Sequence, residues 1–200
     1  MSQAMQINAP ELLLASSSPR RRELLASMGV AFAFESPEID EQRLALESPQ
    51  DYVDRVAVGK ANALFLTLEN RPNKVVLAAD TIVCQQERIF TKPKSQSDAF
   101  EGWSALSGTW HQVITTVCCM DITQVRIRQV STDIRFLSIA EEQMWRYWET
   151  GEPRDKAGGY AIQGFASAWV QELRGSYSGV VGLPLLETNE LLTYYGLNWL

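Results

Sequence analysis

The sequence predicts an α/β fold built as one continuous unit, and three observations carry that prediction. Short apolar runs that read as strands alternate with stretches whose apolar residues recur at helical spacing. No segment rich in Pro, Gly or Ser separates one half of the chain from the other. Finally, 200 residues with a hydrophobic share of 46% suffice to bury a sizeable core. The expected organisation is a flexible start over residues 1–10 and a single domain over 11–200.

The elements follow in order. Leu12 to Ala15 reads as a short buried strand, after which Ser18 caps a helix with Pro19 at its first position. Leu24, Leu25 and Met28 share one face of that helix, and Gly29 stops it. "AFAFE" is strand-like and leads to Glu38, Asp40 and Glu41. From about Ser48 to Leu68, Val53, Val56, Ala57, Ala61, Leu64 and Leu68 form an apolar stripe at helical spacing. Val75 to Ala79 is an apolar strand ending in Asp80 and Thr81, and the run to Ile89 reads as a hairpin arm. "WHQVITTVCCM" is strand-like, and a long alternating strand from Val125 to Leu137 runs into a helix whose Ser138 and Glu141 read as a capping box. That helix carries Met144, Trp145, Tyr147 and Trp148, as core or as a dimer surface. The last stretch reads as a strand through "GSYSGVVGL" and a helix opening at Pro184.

Composition narrows the function classes. A formal charge of −6 argues against broad binding of nucleic acid or an anionic membrane, which needs a basic face. An anionic ligand must therefore be held by a local cluster of cations. The apolar runs fall well short of the ~20 residues that span a bilayer. "MSQAMQINAP" lacks the basic and hydrophobic regions of a secretory signal, so a soluble, cytoplasmic protein is expected. Cys84, Cys118 and Cys119 match neither a disulfide framework nor zinc spacing and read as reduced core residues.

Three features point to chemistry. Arg20, Arg21 and Arg22 fall at a helix N-terminus, where partial positive charge makes cations unfavourable by roughly 0.3–1 kcal/mol each unless an anion joins them. Loop, helix end and guanidinium groups would form a phosphate site; the alternative is a solvated basic turn. Lys60 interrupts the apolar stripe, and either snorkels outward or points into a cavity holding negative charge. Asp80, at the end of a buried strand, lies where open α/β sheets place their ligands, or else caps a turn. Lys92-Pro93 adds a cation on a stiff loop, and Asp155, Lys156 and Gln163 lie in a Gly-dense, charged segment. Carboxylates without a His or Cys cluster suit Mg²⁺ or Mn²⁺. The lone His111 reads as a hydrogen-bonded structural residue.

"ASSSPRRRELL", "PEIDE", "GKA", "LAADTIV", "TKP", "LSGTWHQVITTV", "EPRDKAGGYAIQG" and "SYSGVVGLPLLET" occur in the order found in the Maf family of nucleoside triphosphate pyrophosphatases. The chain resembles that family over about residues 11 to 195. The resemblance implies a central mixed twisted sheet flanked by helices, two lobes with a cleft between them, and often a homodimer. It implies hydrolysis of a nucleoside triphosphate between the α and β phosphates with a divalent metal. Phosphate-binding positions fall on Ser16, Arg20, Arg21, Lys60 and Lys92, with Thr81 beside them in the substrate site. The acidic positions fall on Glu41 and Asp80, with Asp40 or Glu38 as a further candidate beside them. Asp80, alone or with Glu41, would hold the metal and orient or deprotonate the attacking water, and Arg20, Arg21, Lys60 and Lys92 would neutralise the triphosphate and stabilise the leaving pyrophosphate.

Within the family the chain resembles the branch acting on dTTP and UTP, because it has "AIQG" where the branch resembling 7-methyl-GTP pyrophosphatases carries a glutamate. The amide of Gln163 can accept from N3–H and donate to a carbonyl of uracil or thymine, whereas a carboxylate only accepts. The chain departs from the family's usual "GADT", "GKP" and "DKAGAYGIQG", having "AADT", "TKP" and "DKAGGYAIQG", which adds bulk at Ala79 and Thr91. A second class of function is a nucleotide-binding regulator of septum formation with little turnover.

Overall fold

A computed structural model describes residues 10–69 and 71–197. The expected flexible start therefore lies outside the described residues except for Pro10, as do the last three positions of the chain. Seven strands form one sheet: β1 (Glu11–Ala15), β2 (Phe32–Glu35), β3 (Lys74–Gln85), β4 (Arg88–Phe90), β5 (Trp110–Met120), β6 (Val125–Phe136) and β7 (Val170–Arg174). Six helices pack around it: α1 (Pro19–Ser27), α2 (Pro49–Thr67), α3 (Gln96–Leu106), α4 (Glu141–Glu149), α5 (Tyr177–Val181) and α6 (Leu185–Tyr194). The sheet order is β2-β1-β3-β5-β6-β7, with β4 paired to the far half of β3. Strands β2, β1 and β3 run parallel and the remaining pairs are antiparallel, so the sheet is mixed, as expected.

The local signals explain the first two helices. Ser18 caps α1 by accepting from the Arg21 N–H, Pro19 occupies the first turn, and the chain leaves through Gly29 at φ +74. Ser48 caps α2 in the same way, again with proline next, and the stripe Val53, Val56, Ala57, Ala61 and Leu64 is fully buried. Each of the larger side chains contributes roughly 1.5–3 kcal/mol by leaving water.

Strand β3 divides the core by its pleat. Val75, Leu77 and Ala79 face an aliphatic cluster shared with α1 and α6, while Val76 and Ala78 face one shared with α2. Beyond the gap described below, Val83 enters a third, aromatic-rich cluster containing Trp103, Phe136, Tyr147, Tyr160 and Trp169. That cluster, with α3, α4 and three short 3-10 turns, forms the second lobe. Of the aromatic helix α4, Met144 and Tyr147 are buried and Trp145 is exposed. The three cysteines are free and buried.

Three expectations are corrected. Strand β3 does not end at Asp80 but runs to Gln85, because β5 continues the antiparallel ladder alongside it as far as Cys84. Helix α4 is capped not by Ser138 and Glu141 but at Ala140, whose N–H donates to the side chain of Gln143. Residues 137 and 139 are held extended by bonds to Trp169 O and Ser107 Oγ, which postpones the helix. The expected strand in "GSYSGVVGL" is the short helix α5, nucleated by Ser176, whose hydroxyl accepts from Gly179 N.

Candidate functional site

The sheet is interrupted at its centre. On one edge of β3 the pairing with parallel β1 stops at Leu77, and the pairing with antiparallel β4 resumes at Val83, opposite Phe90, the last residue of β4. Between them residues 78–82 are paired only with β5 on the other edge. A cleft of about 970 Å³ opens there, a volume suited to a small-molecule ligand. Asp80 and Thr81 stand mid-gap, and because successive side chains alternate across a sheet they enter the cleft from opposite faces.

Asp80 takes the α2 face. It is 7% exposed, and its Oδ1 accepts from Lys60 Nζ at 2.8 Å. The same ammonium meets Glu41 Oε1 at 2.9 Å, so one cation joins two carboxylates. Lys60 therefore points inward to negative charge rather than snorkelling. The loop bearing Glu41 is tied down: Tyr52 donates to Glu41 O at 2.9 Å, and Arg55 donates to Gln42 O and to both oxygens of Glu47. Arg55 holds the Glu47 carboxyl down at about 2, and burial, followed by the charges of Asp80 and Glu41, raises the Tyr52 phenol. Of the three acids in "PEIDE", only Glu41 lines the cleft; Asp40 accepts from Gln42 N in a turn, and Glu38 is exposed.

Thr81 takes the α1 and α5 face. Arg21 donates through Nη2 to Thr81 Oγ1 at 3.1 Å and through Nε to Gly182 O at 2.8 Å. Thr115 Oγ1 lies 3.0 Å from Thr81 Oγ1 and 2.8 Å from Gly179 O. A hydroxyl has one proton and a carbonyl can only accept, so Thr115 donates to Gly179 and Thr81 donates to Thr115. The result is a directional chain from guanidinium through two hydroxyls to α5. Burial lowers the Arg21 pKa, with Asp80 opposing that shift. The Ser16–Ser18 loop lies at the C-terminal end of β1, with Ser16 Oγ accepting from Ser18 N. The three arginines diverge: Arg20 and Arg21 line the cleft, whereas Arg22 stacks over the ring of Phe34 at 4.4 Å.

The rim is supplied by the second lobe. Lys92 is exposed and has no ion pair among the described residues, and Gln163 is exposed with no hydrogen bond to the chain among them. All the sequence-derived candidates, Ser16, Arg20, Arg21, Glu41, Lys60, Asp80, Thr81, Lys92 and Gln163, thus line one cleft. Asp155 and Lys156, singled out in the sequence without an assigned role, pair with each other and line the cleft too. Their only signal is the Gly-dense segment around them. His111 is structural, as expected: Nε2 meets Tyr160 Oη at 2.8 Å, and burial holds its pKa down at about 4.

Residues 11–195 match the family described as Maf-like protein. The chain belongs to the Maf family. A dTTP/UTP pyrophosphatase of Hahella chejuensis is 44% identical over 93% of this chain and 92% of its own length. One of Saccharophagus degradans is 46% identical over 92% and 89% respectively. Among solved structures, the Staphylococcus aureus Ham1 protein aligns with a TM-score of 0.44 at 12% identity, over 63% of this chain and 71% of that one, too loosely to argue from.

Two departures of this Maf chain from the usual motifs sit without conflict, whereas Thr91 lines the cleft. The Ala79 methyl lies in the aliphatic core rather than in the cleft. Gly159 occupies φ +65, where a Cβ would be strained and would press on Pro93 and Trp103. Among the described residues no group of three or more His, Cys, Asp or Glu side chains could hold a metal. Two carboxylates on one ammonium fit a different case, in which Mg²⁺ keeps several waters and is held by one or two carboxylates plus substrate phosphates. Asp80 and Glu41 are the residues of this Maf chain suited to that role.

Proposed function

We propose that this chain hydrolyses dTTP and UTP to the nucleoside monophosphate and pyrophosphate, using Mg²⁺ or Mn²⁺ that arrives with the substrate. The observation that carries the reading is the meeting, in one cleft, of the Asp80–Lys60–Glu41 group with two arginines at a helix N-terminus. The names of relatives at 44–46% identity support it. Arg20, Arg21, Lys60, Lys92 and Ser16 receive the triphosphate, and their charge stabilises the pyrophosphate as it leaves. Asp80 orients water toward the α phosphorus and accepts its proton, with Thr81 holding Arg21 in place. Asp80 and Glu41 would hold the metal, which would supply charge neutralisation on the phosphate oxygens. Gln163, which makes no hydrogen bond to the chain among the described residues, reads the pyrimidine edge. A homodimer and a cytoplasmic location belong to the same proposal; no helix among the described residues is long and apolar enough to cross a membrane.

The test is product analysis by ion exchange after incubation with Mg²⁺ or Mn²⁺ and a panel of nucleoside triphosphates. Monophosphate plus pyrophosphate from dTTP or UTP is expected. A faster rate on 7-methyl-GTP would overturn the substrate assignment, and binding without turnover on any nucleotide would favour the regulator.

A further inference from the structure

The side chain that would read the base sits on a turn whose two ends are gripped from behind. Residues 161–164 form a turn closed by Gly164 N donating to Ala161 O at 3.1 Å, with Gln163 near its tip and Ile162 buried. The first N–H of the turn, that of Ala161, donates to Tyr147 Oη at 3.1 Å. The same phenol donates to Glu152 Oε1 at 2.7 Å. Glu152 in turn packs against the last residue of the turn: a Cβ on Gly164 would lie 2.2 Å from its carboxylate oxygens. Tyr147 itself cannot shift, being 3% exposed and wedged between the rings of Trp103 and Trp169.

From this geometry we infer that Tyr147 and Glu152 form a clamp that positions Gln163 and so sets the base preference of the cleft. Neither residue lines the cleft, so both act through the turn. The phenol is suited to the task because one oxygen accepts from the backbone at the start of the turn and at once donates to the carboxylate that packs against its end. Glu152 also opens the 3-10 turn Glu152–Asp155, so the clamp joins the base-reading turn to the segment that brings Lys156 to the cleft. A residue that must discriminate by hydrogen-bond direction gains little unless its backbone is fixed, since a small misplacement loses the bond.

The inference rests on Gln163 reading the base, and the experiment separates the two claims. Tyr147→Phe keeps the ring in its aromatic cage and removes only the hydroxyl. KM for dTTP and UTP should rise about three- to ten-fold, the worth of one misplaced hydrogen bond, with kcat within about two-fold. Preference over purine triphosphates should narrow by the same factor. In a Gln163→Ala background the same change should add nothing, because its effect passes through that side chain. Glu152→Gln, which keeps an acceptor for the phenol, should recover most of what Glu152→Ala loses. If Tyr147→Phe is silent while Gln163→Ala shifts the preference, the clamp is overturned alone. If Tyr147→Phe lowers kcat equally for every nucleotide, or adds fully to Gln163→Ala, the residue is merely structural and the inference fails. If Gln163→Ala itself leaves the preference unchanged, base reading fails and the clamp's role with it. Thermal melts of each variant identify any loss that comes from unfolding.

Discussion

Asp80 and Thr81 are neighbours on one strand, yet the chemistry on the two faces of the sheet beneath them has little in common. The α2 face is ionic: Asp80, Lys60 and Glu41 satisfy one another through a single ammonium. The opposite face is a line of neutral hydroxyls, Thr81 and Thr115, that starts from Arg21 and ends on a backbone carbonyl of α5. The contrast shows how a pleat assigns different work to adjacent residues. Under the proposed function the ionic face would exchange partners when a triphosphate and metal arrive, because among the described residues its charges are held only by each other. The hydroxyl face has no charge to exchange and serves to keep Arg21 pointing into the cleft.

The comparison can be broken most severely at Asp80. Asp80→Asn should lower kcat by about 10²–10⁴-fold with nucleotide binding largely retained, measured by single-turnover hydrolysis beside equilibrium binding. Lys60→Met comes next. It leaves a buried Asp80 without its cation, so we expect about 1–3 kcal/mol of lost stability in urea melts and a raised KM. The hydroxyl face carries its own pH-sensitive group further along β5. His111 has a folded pKa of about 4 against 6.5 unfolded, lowered by burial. The unfolded chain therefore binds the extra proton first, so stability is intact above pH 6.5 and falls as pH drops towards 4, by up to about 3 kcal/mol. Urea melts across that window should show the slope, and His111→Gln should flatten it. The smallest effect belongs to Thr115→Val, which cuts the hydroxyl chain: about 1 kcal/mol of stability and a several-fold rise in KM, with kcat barely changed. A large kcat loss there would mean that the hydroxyl face also takes part in the chemistry.

The site was more legible in the sequence than parts of the scaffold. Ser18-Pro19 and Ser48-Pro49 announce their helices because caps are local, and the observed ends agree to within a residue or so. Arg20, Arg21 and Lys60 stood out because cations at a helix N-terminus or within an apolar stripe are unfavourable without a counter-charge. The structure supplies that counter-charge for Lys60 and leaves Arg20 and Arg21 facing the cleft. Arg22, identical in local context, went elsewhere, because one residue on, about 100° further round the helix, the side chain faces β2 and Phe34. What local reading could not see was tertiary. The start of α4 is set by bonds to Ser107 and Trp169, remote in sequence from the Ser138 that looked like its cap. Val180 and Val181 favour a strand by propensity, yet Ser176 and the turn at Gly182 fold them into α5. The roles of Tyr147 and Glu152 are invisible for the same reason, since their partners appear only when α4 packs beside the Gly-dense segment.

The interruption in the sheet also acts as a ruler. The Ser16–Ser18 loop leaves the end of β1 and the Lys92 loop leaves the end of β4, and both strands are fixed to the same β3. The span between the two loops is therefore written in residues 78–82, which are unpaired on that edge, at about 3.3 Å of rise each. Inserting two residues into β3 and two into the facing stretch of β5 would preserve every inward and outward orientation while moving the loops apart by about 7 Å. A single-residue insertion would instead exchange the faces of Asp80 and Thr81. Cleft length in this fold is thus quantised in steps of two residues.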